Sequence, residues 1–251
     1  MSIAARNTAG LGTIIGTELY RARRGSLVWL MSLTPLVIAL PMVISTALGA
    51  DWPEYRGMTL TGWGSLLPAF IALLVGIAVT QDREAWLFLL AAPVARNGLV
   101  LAKMASLAVI TAVPSLILGL ALWIGGINSG VPVPADALAG AAAMWVALLG
   151  IAGLMLLLTL AAGMATTIAV GVVGALAGML TADKAFWFLN PFGWPLRAML
   201  PFGQVRANGV ALPPGSPLAD LGPAFAAMLL SVVLAAAATA LSCMVLRRKE
   251  I

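Results

Sequence analysis

The sequence predicts an all-α integral membrane protein of six transmembrane helices with almost no extramembrane domain. Three observations predict it. Of 251 residues, 62% are hydrophobic and 9% charged, whereas about a quarter of a soluble domain is charged. The apolar residues gather into runs near the ~20 that a helix needs to cross a ~30 Å hydrocarbon core. The basic residues gather at the edges of those runs, so the net charge of +5 reports membrane orientation rather than nucleic-acid binding.

Residues 1–28 are polar, then amphipathic. Ile14, Ile15 and Leu19 suit lipid, while Glu18, Arg21, Arg23 and Arg24 suit water, which predicts a cytoplasmic interfacial helix. The first span covers about residues 29–48, led by Trp29 and kinked by Pro35 and Pro41. It ends in STALGA, whose small residues resemble a signal-peptidase site. The long basic region before it argues against cleavage, and five further spans would hold the protein in the membrane regardless. Residues 51–61 read as a short external loop and 62–80 as the second span.

The third span, 99–124, contains Pro114, and 125–136 (GGINSGVPVPAD) is a turn-rich external loop. Residues 137–181 are too long for one crossing. They divide into spans at 137–160 and 164–181 around Ala161, Ala162 and Gly163, with Thr166 and Thr167 beside the turn. Gly171, Gly174 and Gly178 stripe the fifth span. Ordinary close helix packing is the simpler reading of that stripe, and a dimer seam the sharper one. In 182–221, Phe186, Trp187, Phe188, Phe192, Trp194 and Phe202 alternate with Pro191, Pro195 and Pro201, which predicts a broken or re-entrant external segment. The sixth span, 222–246, returns the chain to RRKEI. With one domain over 1–251, ten basic residues fall inside and four outside, so both termini are expected in the cytoplasm.

The charged island 81–103 separates the second and third spans. Trp86, Leu89 and Leu90 share a helix face. Asp82 and Glu84 suit a helix N-terminus, and Pro93 suits its end. This predicts a short amphipathic helix on the cytoplasmic surface. Periodicity alone fits both a docking helix for another protein and a loop anchored in headgroups.

Missing chemistry narrows the function. The absence of histidine removes bis-histidine haem ligation, histidine metal sites and Ser-His catalysis. Cys243, alone in the last apolar run, reads as a small packing residue. No acid or base falls clearly inside a predicted span, which argues against an ion-coupled transporter. None of Lys103, Lys184 and Lys249 follows a glycine, so no phosphate-binding P-loop exists. The chain is expected not to be an enzyme, and energy for any transport must come from a partner.

These features resemble the permease subunit of ABC-2-type exporters. Three stretches carry the likeness: TELYRARRGSLVWLMSLTPL at 17–36, DREAWLFLLAAPVARNGLVLAK at 82–103, and NPFGWPLRAMLPFGQVRANG at 190–209. The second is similar to the family's acidic coupling helix with its Pro-x-x-Arg and lysine. The third resembles the external segment of lantibiotic-immunity permeases. The resemblance implies a bacterial cytoplasmic-membrane exporter of two permease subunits and two ABC ATPase subunits. ATP and Mg would bind the ATPases, with no cofactor in this chain. The cargo would be an amphipathic lanthionine-containing peptide, expelled for self-protection.

On that reading Asp82, Arg83, Glu84, Trp86 and Arg96 couple to the ATPase. Interfacial anchoring of Trp86 and helix-dipole pairing of the acids are the plainer roles. Phe186, Trp187, Trp194 and Arg197 are the candidate cargo contacts, and an aromatic belt is their plainer role. An exporter of a small hydrophobic drug or lipid, and a structural or sensing subunit that moves nothing, remain as other classes.

Overall fold

The computed structural model describes residues 10–47, 51–91 and 96–248; within these, side chains are described except at positions 27, 41–43, 45–47, 82–91 and 96. The described residues form α-helices and short 3-10 turns, with no strand among them. The helices are α1 (Leu11–Arg23), α2 (Ser26–Ala47), α3 (Trp52–Ala91), α4 (Arg96–Asn128), α5 (Ala135–Ala162), α6 (Met164–Thr181), α7 (Trp194–Gly203) and α8 (Leu221–Arg248). Five described segments are long and apolar enough to cross a membrane: Trp52–Gln81, Asn97–Asn128, Ala135–Ala162, Met164–Thr181 and Leu221–Arg248. Helix α2 has 22 residues and continues through Pro35 and Pro41.

The largest departure from the sequence reading is α3. Residues 52–61 are helical rather than an external loop, and no break separates the second span from the charged island. Pro53 and Glu54 suit a first helical turn. Gly57 and Gly64 mark close approaches. A Cβ on Gly57 would strike Val205, and one on Gly64 would meet Leu196 Cδ2 at 2.8 Å. From Ile77 to Ala91 there is neither glycine nor proline, and the good helix formers Gln81, Arg83, Glu84, Ala85 and Leu87 carry the helix onward. Asp82 and Glu84 therefore do not begin a helix, and the dipole argument for them fails. At 40 residues, α3 is about 60 Å long, roughly twice a hydrocarbon core.

Helix α5 is the hub, packed by α3, α4, α7 and α8. Its tightest crossing is with α8. A Cβ on Gly150 would meet the Ser231 carbonyl oxygen at 2.9 Å, and one on Gly153 would meet the Ala235 Cα at 3.1 Å. Ser231 Oγ sits in that crossing, accepting from Gly150 N–H and donating to the Ala147 carbonyl, both at 2.7 Å. Helices α5 and α6 meet at Gly163, where the sequence places the turn. Its φ of +91° favours glycine, and Thr159 and Thr167 join hydroxyls across it at 3.0 Å.

Helix α6 then leaves α5 and packs on α3. Its glycine stripe is used within the chain. Gly171 lies against Ala72 and Pro68, while Gly174 and Gly178 lie against Phe192. The simpler reading of the stripe describes these contacts.

Candidate functional site

One end of the bundle gathers α1, the start of α4 and the last turn of α8. The side chains of Asp82, Arg83, Glu84, Trp86 and Arg96 lie outside the described residues. Their backbone places the first four on the last turns of α3 and Arg96 at the start of α4. Around them the geometry is specific. Lys103, two turns into α4 and only 9% exposed, pairs with Glu18 of α1. Arg21 reaches the same carboxylate at 3.5 Å. Asn97 Oδ1 accepts from Arg247 Nε at 2.9 Å, tying the start of α4 to the end of α8. A cavity of about 190 Å³ lies between α1, the start of α2, α3 and α4; its lining includes polar Glu18, Arg21, Gln81 and Lys103 and apolar Leu74 and Ile110.

At the other end, residues 182–220 fold back into the bundle. The chain makes 3-10 turns at Trp187–Leu189 and Pro191–Gly193, forms α7, then closes a hairpin on the Val205–Ala211 bridge. Phe192 descends along α6 to Gly174. Leu196 lies against Gly64 of α3, about 18 Å along that helix from its start at Trp52. The chain then climbs, so that Gly203 faces Gly57. Asn190 fixes the turn, accepting from Phe192 N–H at 3.1 Å and donating to Thr181 Oγ1 at 2.8 Å.

The fold brings together three of the four candidate cargo contacts. Trp194 is 6% exposed, packed with Ala143, Ala147, Ala198 and Ala227, and its indole N–H donates to the Phe188 carbonyl at 3.3 Å. Arg197 is 5% exposed, with its guanidinium 5.6 Å from the ring centroid of half-buried Trp187. Burial pulls the Arg197 pKa below its ordinary value, while Asp183 and Asp220 oppose that shift. Its Nε and Nη1 have no hydrogen-bond partner among the described residues. Phe186 stands apart on the rim, exposed like Phe188 and Leu189. Phe186 and part of Trp187 therefore face outward, whereas Trp194 is core.

Two ion pairs escaped the sequence reading. Arg56, read as an external-loop residue, is buried inside a span-length segment and donates through Nη1 to Asp136 Oδ2 at 3.1 Å. Lys103 is buried against Glu18. Arg56 and Lys103 stand within two turns of the ends of their span-length segments. The signal was a lysine inside an apolar run, which demands a partner. Nothing in sequence spacing selects the partner, because Glu18 lies 85 residues away.

Among known families, the one described as "ABC-2 family transporter protein" matches residues 14–187. The match covers more than half the chain, runs from α1 into the first 3-10 turn, and stops short of α7 and α8. Comparison with curated proteins gave no match.

Proposed function

Because the chain belongs to the ABC-2 family of transporter proteins, we propose that it is the permease of an ATP-driven exporter that expels an amphipathic lanthionine-type peptide from a bacterial cytoplasmic membrane. Membership alone makes it a multi-pass membrane transporter subunit that works with an ABC ATPase. The finer reading takes α2 as the first of six spans and puts both termini in the cytoplasm, which the ten-to-four distribution of basic residues supports. The end holding α1 and the α3–α4 connection is then cytoplasmic, and 182–220 is an external, re-entrant cap. A second permease, identical or homologous, completes the membrane part. ATP and Mg bind the ATPase subunits, and this chain catalyses nothing.

One observation carries the coupling reading: α3 continues unbroken past its apolar segment Trp52–Gln81 to Ala91. A rigid helix end carrying Asp82, Arg83, Glu84 and Trp86 can convert ATPase closure into rigid-body motion of a span. Glu84→Lys is expected to leave insertion and abundance normal while uncoupling transport from ATP hydrolysis. Transport like wild type would remove Glu84 from coupling.

The exposed Phe186 and Phe188, with half-buried Trp187 between them, support a peptide cargo. A small hydrophobic drug or lipid is the second reading. It is favoured by an apolar groove between α4 and α5 lined by Val109, Val113, Leu116, Leu138 and Trp145. ATPase stimulation of the reconstituted complex by a lanthionine-containing peptide, against hydrophobic drugs, separates them. Stimulation by drugs alone would overturn the peptide reading.

A further inference from the structure

We propose that Arg197 and Asp220 form a site for the head group of a phospholipid that carries a primary ammonium, Arg197 taking the phosphate and Asp220 the ammonium. The inference needs only a membrane around the bundle and leaves the choice of cargo aside. A membrane puts this place at head-group level. Asp183 follows the span-length segment Met164–Thr181 by two residues, and Asp220 directly precedes Leu221–Arg248. The 3-10 turn Pro217–Ala219, which ends beside Asp220, packs on α7, the helix that carries Arg197.

Arg197 is buried with its hydrogen bonding incomplete. Its Nε and Nη1 are enclosed without a partner among the described residues, and Nη2 is the nitrogen outside that enclosed set. The ring of Trp187 meets the guanidinium by cation–π contact, which accepts none of its in-plane hydrogen bonds. A buried charge without an ion pair is costly, and the guanidinium fork suits a phosphate. Asp183 and Asp220 act on Arg197 electrostatically, yet neither pairs with it. Asp183 Oδ1 lies 3.2 Å from Lys184 Nζ. Asp220 is exposed, and its Oδ1 accepts from Gly222 N–H at 3.2 Å at the start of α8.

These charges choose the ligand. A plain anion drawn to Arg197 is repelled by the two carboxylates, and a plain cation drawn to Asp220 is repelled by Arg197. A zwitterion that carries phosphate and ammonium a few atoms apart suits both. A primary ammonium also donates hydrogen bonds to a carboxylate, as a quaternary one does not. Phe186, Phe188 and Leu189 are exposed, and Phe188 stands edge-on to Trp187. They set apolar surface beside the head group for the acyl chains.

The test titrates the full chain in detergent with phosphatidylethanolamine, phosphatidylcholine and phosphatidylglycerol of the same acyl chains, counting bound lipid by native mass spectrometry. The parent is expected to bind one phosphatidylethanolamine at least about tenfold more tightly than either of the others. Arg197→Gln is expected to weaken that binding by about tenfold. Asp220→Asn keeps an oxygen to cap α8 and leaves the buried guanidinium untouched, and it is expected to erase the preference over phosphatidylcholine. Soluble phosphoethanolamine at the same concentration is expected not to displace the lipid, since it lacks the chains. Equal affinities in the parent, parent-like binding in Arg197→Gln, a surviving preference in Asp220→Asn, or displacement by phosphoethanolamine would overturn the proposal.

Discussion

Trp187 and Trp194 are seven residues apart and read alike in the sequence, yet the fold gives them different work. Trp194 is enclosed by alanines of α5, α7 and α8, so Trp194→Ala is expected to cost about 3–5 kcal/mol, as large-to-small core changes do. Trp187 is half-buried and touches the Arg197 guanidinium face-on. Trp187→Ala is expected to cost about 1 kcal/mol from the lost cation–π contact and to raise the half-maximal cargo concentration. Thermal unfolding in detergent and cargo-stimulated ATPase activity check both, and equal destabilisation by the two substitutions would assign Trp187 to anchoring. Aromatic residue type was legible in the sequence, but burial was not, because it depends on which helices close over the segment. The same limit hid Arg56–Asp136 and Glu18–Lys103, whose partners lie 80 and 85 residues apart.

Among the elements, glycine shows where local reading succeeds and fails. At Gly163 the chain has to reverse within one residue, and positive φ makes that legible. At Gly57 and Gly64 the glycines serve neighbours from distant sequence, and around Gly57 a loop was expected where α3 runs on. Gly178 belongs to this second kind: a Cβ there would stand 2.5 Å from the Phe192 carbonyl oxygen. Gly178→Ala is expected to destabilise by about 1–3 kcal/mol through overpacking. Gly12→Ala in α1, where nothing stands within 4 Å, is expected to stabilise by up to about 1 kcal/mol through helix propensity. Thermal unfolding of the two variants checks the contrast, and a neutral Gly178→Ala would mean that the external segment does not seat on α6. Helix continuity has its own test. Two glycines inserted after Thr80 should leave membrane insertion intact and abolish ATP-coupled transport, whereas undiminished transport would show that the rigidity of α3 is not used.

Across the whole chain, the span-length apolar runs and the turn at Gly163 were legible because hydrophobic length and turn chemistry are local quantities. The hub role of α5 was not, since it arises from Gly150 and Gly153 meeting Ser231 and Ala235 of α8. Orientation is predicted from charge. In a Cys243→Ala background, a cysteine at Gly215 should react with an impermeant reagent on intact cells, and one at Asn97 only after permeabilisation. Reaction of Asn97 from outside would reverse the topology. Docking of an ABC ATPase is expected on the end formed by α1, the last turns of α3 and the start of α4. It is tested most directly by placing a photo-crosslinking residue at Glu84 in native membranes and identifying what it captures. An ABC ATPase subunit is the predicted partner, captured from Glu84 and not from a control probe at Val210. Capture of no nucleotide-binding protein from Glu84, or equal capture from Val210, would contradict the account.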